Sequence, residues 1–397
     1  MPLAKNPKRP RVTDTLTRQI AFLSEADKLK SITRANVLSD NSRAENSAEH
    51  AWHVALFALI FADRVSPQAL DRALRMILLH DLVEIDAGDH PIDQIVDLPA
   101  IKAAEMAAAD RIFGLLPPVQ GDEFHALWSE FETGQSEAAR HAKACDHIQP
   151  IFQATGARPT RKDHLQIVRD NITTGRAARF ETEWPAIMAA TKASLEGNEA
   201  EDTRLTAQLA FLREADKLKS VLRASRLLDD SRRENSAEHS WHIMLYAFVL
   251  ADQAAPGVDI ALVLKMLLLH DIVEIDAGDA PIHGTVDHAA MAAKEEAAAE
   301  RLFGLLPPDQ KATFHAIWRE FEAAETPEAR FAKAVDRFQT PIANLANGGG
   351  TWAEYNVTLT QLEARVGTPI SKGAPGLWGW LFPQLETHFR ETAQSGT

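Results

Sequence analysis

Histidine and acidic side chains recur at matching positions in the two halves of this 397-residue chain. Residues 46–89 read NSAEHAWHVALFALIFADRVSPQALDRALRMILLHDLVEIDAGD, and residues 235–279 read NSAEHSWHIMLYAFVLADQAAPGVDIALVLKMLLLHDIVEIDAGD. The recurring groups that can bind a metal ion are two histidines and an aspartate in each half: His50, His80 and Asp81, then His239, His270 and Asp271. Imidazole and carboxylate together suit a divalent first-row ion. The repeat therefore predicts metal-dependent chemistry in each half.

The sequence around His80 predicts that several of these groups share one helix face. Residues 68–86 are apolar in a pattern typical of a buried helix, and Glu84 follows His80 by one helical turn, with Asp81 beside them. Ionisable groups on such a helix are costly unless they are paired or bind a metal ion. Each half also has a later aspartate that would complete the ligand set: Asp146 and Asp336.

The length of the repeated unit indicates two whole domains. Equivalent residues such as Phe22 and Phe211 are 189 positions apart, far beyond the roughly 20 to 50 residues of a solenoid repeat. The predicted organisation is a basic N-terminal arm (1–14), a first domain (15–196), a polar linker (197–204) and a second domain (205–397). The stretch 368–383, rich in Pro, Gly and Trp, has no first-half counterpart and is either a domain-specific loop or a lid.

The spacing of apolar residues predicts an all-α fold, because a period near 3.6 dominates and alternating β-branched runs are missing. The helices predicted for the first half cover 15–33, 47–64, 68–86, 98–115, 118–132, 136–155 and 161–194, the last with a break near Pro185. The second half repeats most of this pattern. Two tandem helical bundles are therefore expected.

Composition narrows the class of protein and of partner. The chain is 45% hydrophobic and 25% charged, which is typical of globular proteins, and no apolar run approaches the roughly 18 residues of a membrane span. A net charge of −14 argues against broad contact with nucleic acid or anionic membranes, although a metal ion and local cations can still bind a small phosphorylated ligand. The single cysteine, Cys145, fits a reducing cytoplasm.

The order and context of these residues resemble the HD-domain metal-dependent phosphohydrolases, and within them the 5′-deoxyribonucleotidase branch. The resemblance covers roughly 15 to 180 and 205 to 365 and is strongest in three segments: RAENSAEH (43–50), HDLVEIDAGD (80–89) and AKACD (142–146). A lone HD dipeptide is weak evidence, whereas four ligands in the right order, found twice, are strong evidence.

This resemblance implies a role for each matching residue. It implies four metal ligands in each half: His50, His80, Asp81 and Asp146, then His239, His270, Asp271 and Asp336. Glu84 and Glu274 match an acidic residue near the attacking water, and Asp89 and Asp279 match a second acidic site residue. Arg34 and Arg223 match an arginine that binds substrate phosphate. The branch often has Trp after that arginine, but Ala35 and Ala224 stand here, which puts recognition of the base or sugar in doubt.

The function implied is hydrolysis of nucleoside monophosphates or similar small phosphate monoesters, with one site and one divalent ion in each repeat. A divalent ion lowers the pKa of bound water and polarises a phosphoryl oxygen, while Lys28 or Arg43 could add positive charge. The same ligands serve Mn, Co, Fe, Ni, Zn or Mg, so the sequence does not choose among these metals. Because single-repeat relatives commonly form dimers, we expect an intramolecular pseudo-dimer.

Three alternatives remain open at this stage. Nucleotide pyrophosphate cleavage needs the same metal site. A dinuclear iron oxygenase would need further ligands, for which His53 and His242 or His125 and His315 are available, although packing roles are favoured for all four. A non-enzymatic nucleotide-binding regulatory scaffold is the third, and neither repeat has lost the ligands that such a protein could dispense with.

Overall fold

The structure is a computed structural model that describes residues 12–91, 97–284 and 287–395. Most of the predicted N-terminal arm, 1–14, lies outside the described residues. In the first repeat the helices are α1 (Val12–Ala26), α2 (Ser47–Ile60), α3 (Pro67–Leu79), α4 (Glu84–Ala87), α5 (Leu98–Phe113), α6 (Pro118–Thr133), α7 (Glu137–Gly156), α8 (Lys162–Thr173), α9 (Phe180–Glu183) and α10 (Pro185–Leu195).

The second repeat follows the same order until its C-terminal part. Its helices are α11 (Thr203–Ala215), α12 (Ser236–Val249), α13 (Ile260–Leu269), α14 (Glu274–Ala277), α15 (His288–Phe303), α16 (Pro308–Ala323), α17 (Pro327–Ala346), α18 (Thr351–Glu354), α19 (Leu359–Leu362), α20 (Thr368–Gly373) and α21 (Pro375–Ser395). The predicted all-α class is confirmed. None of the described helices combines the length and the apolar character that crossing a membrane requires.

Two helix predictions were wrong at their C-terminal ends. The helix expected over 15–33 ends at Ala26, and a 3-10 turn (Asp27–Ser31) and strand β1 (Thr33–Val37) follow. Strand β1 pairs antiparallel with β2 (Ala44–Asn46), and β3 (Leu222–Arg226) pairs in the same way with β4 (Arg233–Asn235). The helix expected over 68–86 is an α-helix that ends at Leu79, seven residues earlier than predicted.

Helix α2 lies at the centre of the first repeat. The Asn46 side chain accepts a hydrogen bond from the backbone of Glu49, whose carboxylate accepts one from the Asn46 backbone, so a capping box begins the helix. Every residue of α2 is buried, as is every residue of its counterpart α12. The buried face includes ionisable groups, which must therefore be paired or bound.

The two repeats contact each other through α2 and α12. Equivalent side chains cross in both directions: Asn46 Nδ2 donates to Glu238 at 2.7 Å, and Asn235 Nδ2 donates to Glu49 at 2.8 Å. The indole of Trp52 donates to the carbonyl of Leu268 at 3.2 Å. Each repeat thus satisfies polar groups that begin or line the central helix of the other.

The stretch 368–383 forms α20 and the beginning of α21 and is not a loop. Helix α20 packs against α17, and Gly373 lies so close to Arg330 that an added Cβ would be 2.0 Å from the Arg330 carbonyl oxygen. The stretch therefore adds to the core of the second repeat.

Candidate active site

Three elements bring together, in each repeat, a group of side chains that could hold a metal ion. His50 lies in α2, His80 directly follows α3, and Asp146 lies in α7. Their ligand atoms all lie within 4.8 Å of one another. In the second repeat, the ligand atoms of three equivalent residues also lie within 4.8 Å of one another: His239, His270 and Asp336.

The hydrogen bonds of His80 fit a metal-binding imidazole. Its Nδ1–H donates to the carbonyl of Ile77 at 2.8 Å, which leaves the lone pair on Nε2. Among the described residues, the buried Nε2 atoms of His80 and His270 accept no hydrogen bond, because the carboxylate oxygens of Asp81 and Asp271 that lie 3.1 Å and 2.8 Å away have no proton to donate. A buried nitrogen lone pair that faces carboxylate oxygens is the arrangement that a bound cation would satisfy. The residues present therefore fit a divalent ion.

His50 is held from behind by two polar side chains. Its Nδ1 lies 2.9 Å from Gln149 Oε1 and 3.5 Å from Glu45 Oε2, so Nε2 faces Asp146 Oδ1 at 3.1 Å. A second partner of this kind fixes the orientation of a metal-binding imidazole.

Asp81 lies beside the group of three rather than within it. Its Oδ1 is 3.1 Å from His80 Nε2, and its Oδ2 accepts a hydrogen bond from Arg34 at 2.9 Å. In the second repeat, Asp271 has equivalent contacts with His270 at 2.8 Å and with Arg223 at 3.1 Å. That Asp81 and Asp271 are metal ligands stays a prediction.

The shared helix face predicted for His80 and Glu84 was wrong, although both line the same cavity. Helix α3 ends at Leu79, just before His80, and bonds such as Glu84 N to Asp81 O at 2.9 Å turn the chain before α4 begins. These tight turns between residues three apart, rather than one continuous helix, aim the acidic groups at the site.

The predicted phosphate-binding arginine lies inside the site. Arg34 Nη1 faces three carboxylates: Asp81 at 2.9 Å, Glu84 at 3.6 Å and Asp89 at 3.7 Å. Although burial alone would lower the pKa of the guanidinium, these carboxylates raise it, so Arg34 stays charged. Gly88 has φ +78°, a left-handed turn that suits glycine and that brings Asp89 to the cavity.

Glu84 lies beside the predicted ligands in a buried environment that favours its protonated form. Ser47, the first residue of α2, donates to Glu84 Oε2 at 2.5 Å. Burial and then the charge of Asp81 raise the pKa of Glu84 to about 8. Ser236 donates to Glu274 in the second repeat at 2.6 Å, and burial likewise raises the pKa of Glu274 well above its usual range. Both acidic residues thus have the same environment.

Comparison with known proteins agrees with this geometry. The family model described as the HD domain matches residues 26–188 and 215–378, which together exceed half of the chain.

The chain belongs to the HD domain family.

Relatives of this HD chain include curated enzymes and a solved structure. The mouse protein named 5′-deoxynucleotidase HDDC2 is 32% identical over 139 residues, which are 34% of this chain and 68% of the mouse protein. The human protein of the same name is 32% identical over 139 residues, 34% of this chain and 66% of the human one. The crystal structure of a predicted metal-dependent phosphohydrolase from Magnetospirillum magnetotacticum is 48% identical, covers 47% of this chain and 94% of that one, and has a TM-score of 0.46.

The cavities of the two HD repeats differ in size and in their outer walls. The first has a volume of about 330 Å³ and the second about 180 Å³. In the first, the outer wall includes His164 and Arg176, whereas the second has Trp352 and Tyr355. The wall is therefore more basic in the first repeat and more aromatic in the second.

Two cations named from the sequence do not belong to the HD site. Lys28 is exposed and pairs with Glu25 at 2.8 Å, and Arg43 pairs with Glu49 at 2.6 Å. The cavity instead includes Lys143 in the first repeat.

Sequence reasoning missed the residues that support the ligands from behind, chiefly Glu45, Gln149 and the lysine Lys219. A signal was present, because Glu45 belongs to RAENSAEH and the segment EADKLKS recurs at 25–31 and 214–220.

Proposed function

We propose that this chain is a metal-dependent phosphohydrolase that releases phosphate from nucleoside monophosphates or similar small phosphate monoesters, with one site in each HD repeat. The observation that supports it best is a cavity lined by one histidine and one aspartate of the group of three together with a buried arginine and a buried glutamate, while the second histidine, His50, lies buried beside them. In the second repeat, the equivalent lining residues are His270, Asp336, Arg223 and Glu274, and His239 lies buried beside them. Membership of the HD domain family and similarity to proteins named 5′-deoxynucleotidase agree with this reaction.

Each repeat would hold one divalent ion through its two histidines, the aspartate of α7 or α17, and Asp81 or Asp271. When bound, such an ion supplies charge for a phosphoryl oxygen and lowers the pKa of a coordinated water. The described residues do not select the metal, and Mn, Co, Fe, Ni, Zn and Mg all fit nitrogen and oxygen ligands.

In the first repeat, the positively charged arginine and the two acidic residues would have different roles in the reaction. Arg34 would bind phosphate oxygens with the N–H groups that now face Asp81 and Asp89, since a guanidinium fork matches the geometry of phosphate. Glu84 would accept a proton from the attacking water at Oε1, because Ser47 holds Oε2; this role requires that the positive charge of a bound ion lower the raised pKa of Glu84. Asp89 would steer or protonate the leaving oxygen. Arg223, Glu274 and Asp279 would have the same roles in the second repeat.

The dinuclear iron oxygenase alternative needs further metal ligands, and the histidines named for that role have other contacts. Both ring nitrogens of His53 are within hydrogen-bond distance of other protein groups, with Nε2 3.0 Å from Leu212 O and Nδ1 3.0 Å from Lys219. His125 lies 3.3 Å from Asp110 and does not line the first cavity. One ion per repeat therefore remains the proposal.

We further propose that the repeats pack as the protomers of a dimer would, which the reciprocal contacts of Asn46 and Asn235 support. A location in the cytoplasm stays a prediction from the single cysteine, which is buried.

The test is phosphate release from a panel of nucleoside monophosphates and small phosphate esters. Metal-stripped protein is reloaded with Mn or Co, and wild type is compared with Asp81→Asn, Asp271→Asn and the double variant. Each single variant is expected to retain the activity of one site, and the double variant is expected to lose activity by at least about a hundredfold. Asp163→Asn, a change of an exposed carboxylate paired with Arg161, is the matched control and should behave as wild type.

Two results would count against the proposal. Full turnover by the double variant would remove Asp81 and Asp271 from the chemistry. Stoichiometric metal binding without phosphate release from any ester would instead favour pyrophosphate cleavage or a binding role.

A further inference from the structure

Each repeat has a fully buried lysine whose side chain reaches into the other repeat. Lys30 follows α1 of the first repeat, and Lys219 follows α11 of the second. Lys219 Nζ donates to Glu45 of the first repeat at 2.6 Å, and Lys30 Nζ donates to Glu234 of the second repeat at 2.7 Å. The two ion pairs are thus equivalent and cross between the repeats in opposite directions.

Each lysine occupies the centre of a group that would otherwise resemble a metal site. Asp27, Glu234 and His242 have ligand atoms within 4.8 Å of one another. Lys30 Nζ is paired with Asp27 and lies 2.9 Å from His242 Nδ1, so an ammonium already provides the positive charge. Although burial alone would lower the pKa of Lys30, the carboxylates raise it and keep the lysine charged. These lysine groups are therefore structural ion pairs and not further metal centres.

The carboxylate that the lysine contacts also faces the candidate active site. Glu45 Oε1 accepts from Lys219, while Glu45 Oε2 lies 3.5 Å from His50 Nδ1 and 4.0 Å from Arg34 Nε. One buried carboxylate thus separates a lysine of the second repeat from a metal-binding histidine and the phosphate-binding arginine of the first.

The second site has the same arrangement. Glu234 Oε1 accepts from Lys30, and Glu234 Oε2 lies 3.3 Å from His239 Nδ1 and 3.6 Å from Arg223 Nε. Ser225 also donates to this oxygen, at 3.2 Å. Both sites thus have the same order of groups: lysine, carboxylate, then histidine and arginine.

The charge of the lysine decides where the carboxylate can turn. Without Lys219, the buried Glu45 would keep Arg34, His50 and Gln149 as nearby polar partners among the described residues of the first repeat. An unpaired buried carboxylate is costly, so it would turn towards the guanidinium. Arg34 would then move from its position beside Asp81, and His50 would lose the partner that orients its ring.

We propose that Lys219 is a positioning residue for the first active site and Lys30 for the second, so that each HD repeat completes the metal and phosphate site of the other. The inference about metal binding stands on geometry, and the inference about phosphate rests on the proposed function.

The test measures metal affinity site by site, with Mn²⁺ titrated into metal-stripped full-length protein and followed by calorimetry. Asp271→Asn leaves the first site to be measured, and Asp81→Asn leaves the second. Adding Lys219→Met is expected to weaken Mn²⁺ binding at least about tenfold at the first site, and to change the second by less than about twofold. Lys30→Met is the matched variant and should give the opposite pattern.

The proposal is overturned if Lys219→Met weakens the second site as much as the first, or changes neither. A lysine that only supported the fold of its own repeat would affect the second site more. If Lys219→Met does not fold by circular dichroism, Lys219→Met/Asp216→Asn repeats the measurement, because it removes one carboxylate partner together with the ammonium.

Activity gives a second readout that separates the two proposals. At the first site, Lys219→Met is expected to raise KM for a phosphate ester at least about threefold through Arg34, whereas the KM of the second site should not change. If wild type hydrolyses no ester while the Mn²⁺ affinities follow the crossed pattern, the proposed function fails and the dependence between repeats stands.

Discussion

Lowering the pH from about 7.5 to about 5 is expected to destabilise the contact between the repeats, because two buried histidines are held neutral. His53 donates from Nε2–H to the Leu212 carbonyl at 3.0 Å, and its Nδ1 lies 3.0 Å from Lys219 Nζ. A proton on Nδ1 would face the ammonium. Burial and then Lys219 lower the pKa of His53 to about 3. Burial and then Lys30 lower the pKa of His242 in the same way, also to about 3.

The sign and size of the effect follow from proton binding. An unfolded histidine titrates near 6.5, so between about pH 3 and 6.5 the unfolded chain binds a proton at these positions that the folded chain does not. Stability is therefore lost as the pH falls through this window. At about pH 5 the difference is roughly 1.5 pH units, or about 2 kcal/mol for each histidine and about 4 kcal/mol for both. Such a loss is a large part of the roughly 5 to 15 kcal/mol that stabilises a typical domain.

The assay is urea unfolding of chelator-treated protein at both pH values, followed by far-ultraviolet circular dichroism. The double variant His53→Gln/His242→Gln retains hydrogen-bonding groups but cannot titrate, and other histidines titrate equally in both proteins. Wild type should lose about 4 kcal/mol more than the variant between the two pH values. The variant of the exposed His288, His288→Gln, should behave as wild type. An equal loss in wild type and in the double variant would refute the reasoning.

Three further outcomes are expected. Ser47→Ala should lower kcat of the first site about tenfold, because Glu84 loses the hydrogen-bond donor that fixes Oε2. Activity assays in the Asp271→Asn background measure this kcat. An unchanged kcat would contradict the role given to Ser47. Tyr355→Ala should raise KM of the second site about tenfold for nucleotides but not for small esters without a ring, since the wall would lose a half-buried aromatic face; equal changes for both substrates would argue against stacking. Mn²⁺ at about a hundred times Kd should stabilise metal-stripped protein against unfolding by about 2.7 kcal/mol per site, measured by thermal melts. His50→Ala should remove the stabilisation that Mn²⁺ gives through the first site.

The sequence predicted the fold class, and it named most of the residues that the structure brings to one cavity, because both depend on local pattern. The predicted ligands lie in repeated motifs, and the period of apolar residues identifies α2 and α7, the helices that hold His50 and Asp146. The position of Arg34 beside Asp81 agrees with its predicted place in the site.

Helix ends were less accessible to prediction. Leu82 and Val83 are buried as residues of a continuing helix would be, so the apolar pattern does not mark the turn after Leu79. Strand β1, TRANV, is short and not strongly alternating, and its pairing with β2 depends on contacts between residues that are apart in sequence. Both errors therefore arise where tertiary structure overrides local propensity.

The crossed lysines could not be predicted, because a lysine at the end of an amphipathic helix usually faces water. Only the folded arrangement shows that Lys219 meets Glu45 of the other repeat. The segment EADKLKS is nevertheless identical in both halves, whereas the outer walls of the cavities have diverged to His164 and Arg176 in one and Trp352 and Tyr355 in the other. A wall residue contacts one cavity and can be substituted alone. The lysine that pairs with the opposite repeat can be substituted only together with the carboxylates around it. Either partner left alone would be a buried unpaired charge. Covalent linkage in one chain thus allows the two sites to differ in substrate while each still depends on the other for its geometry.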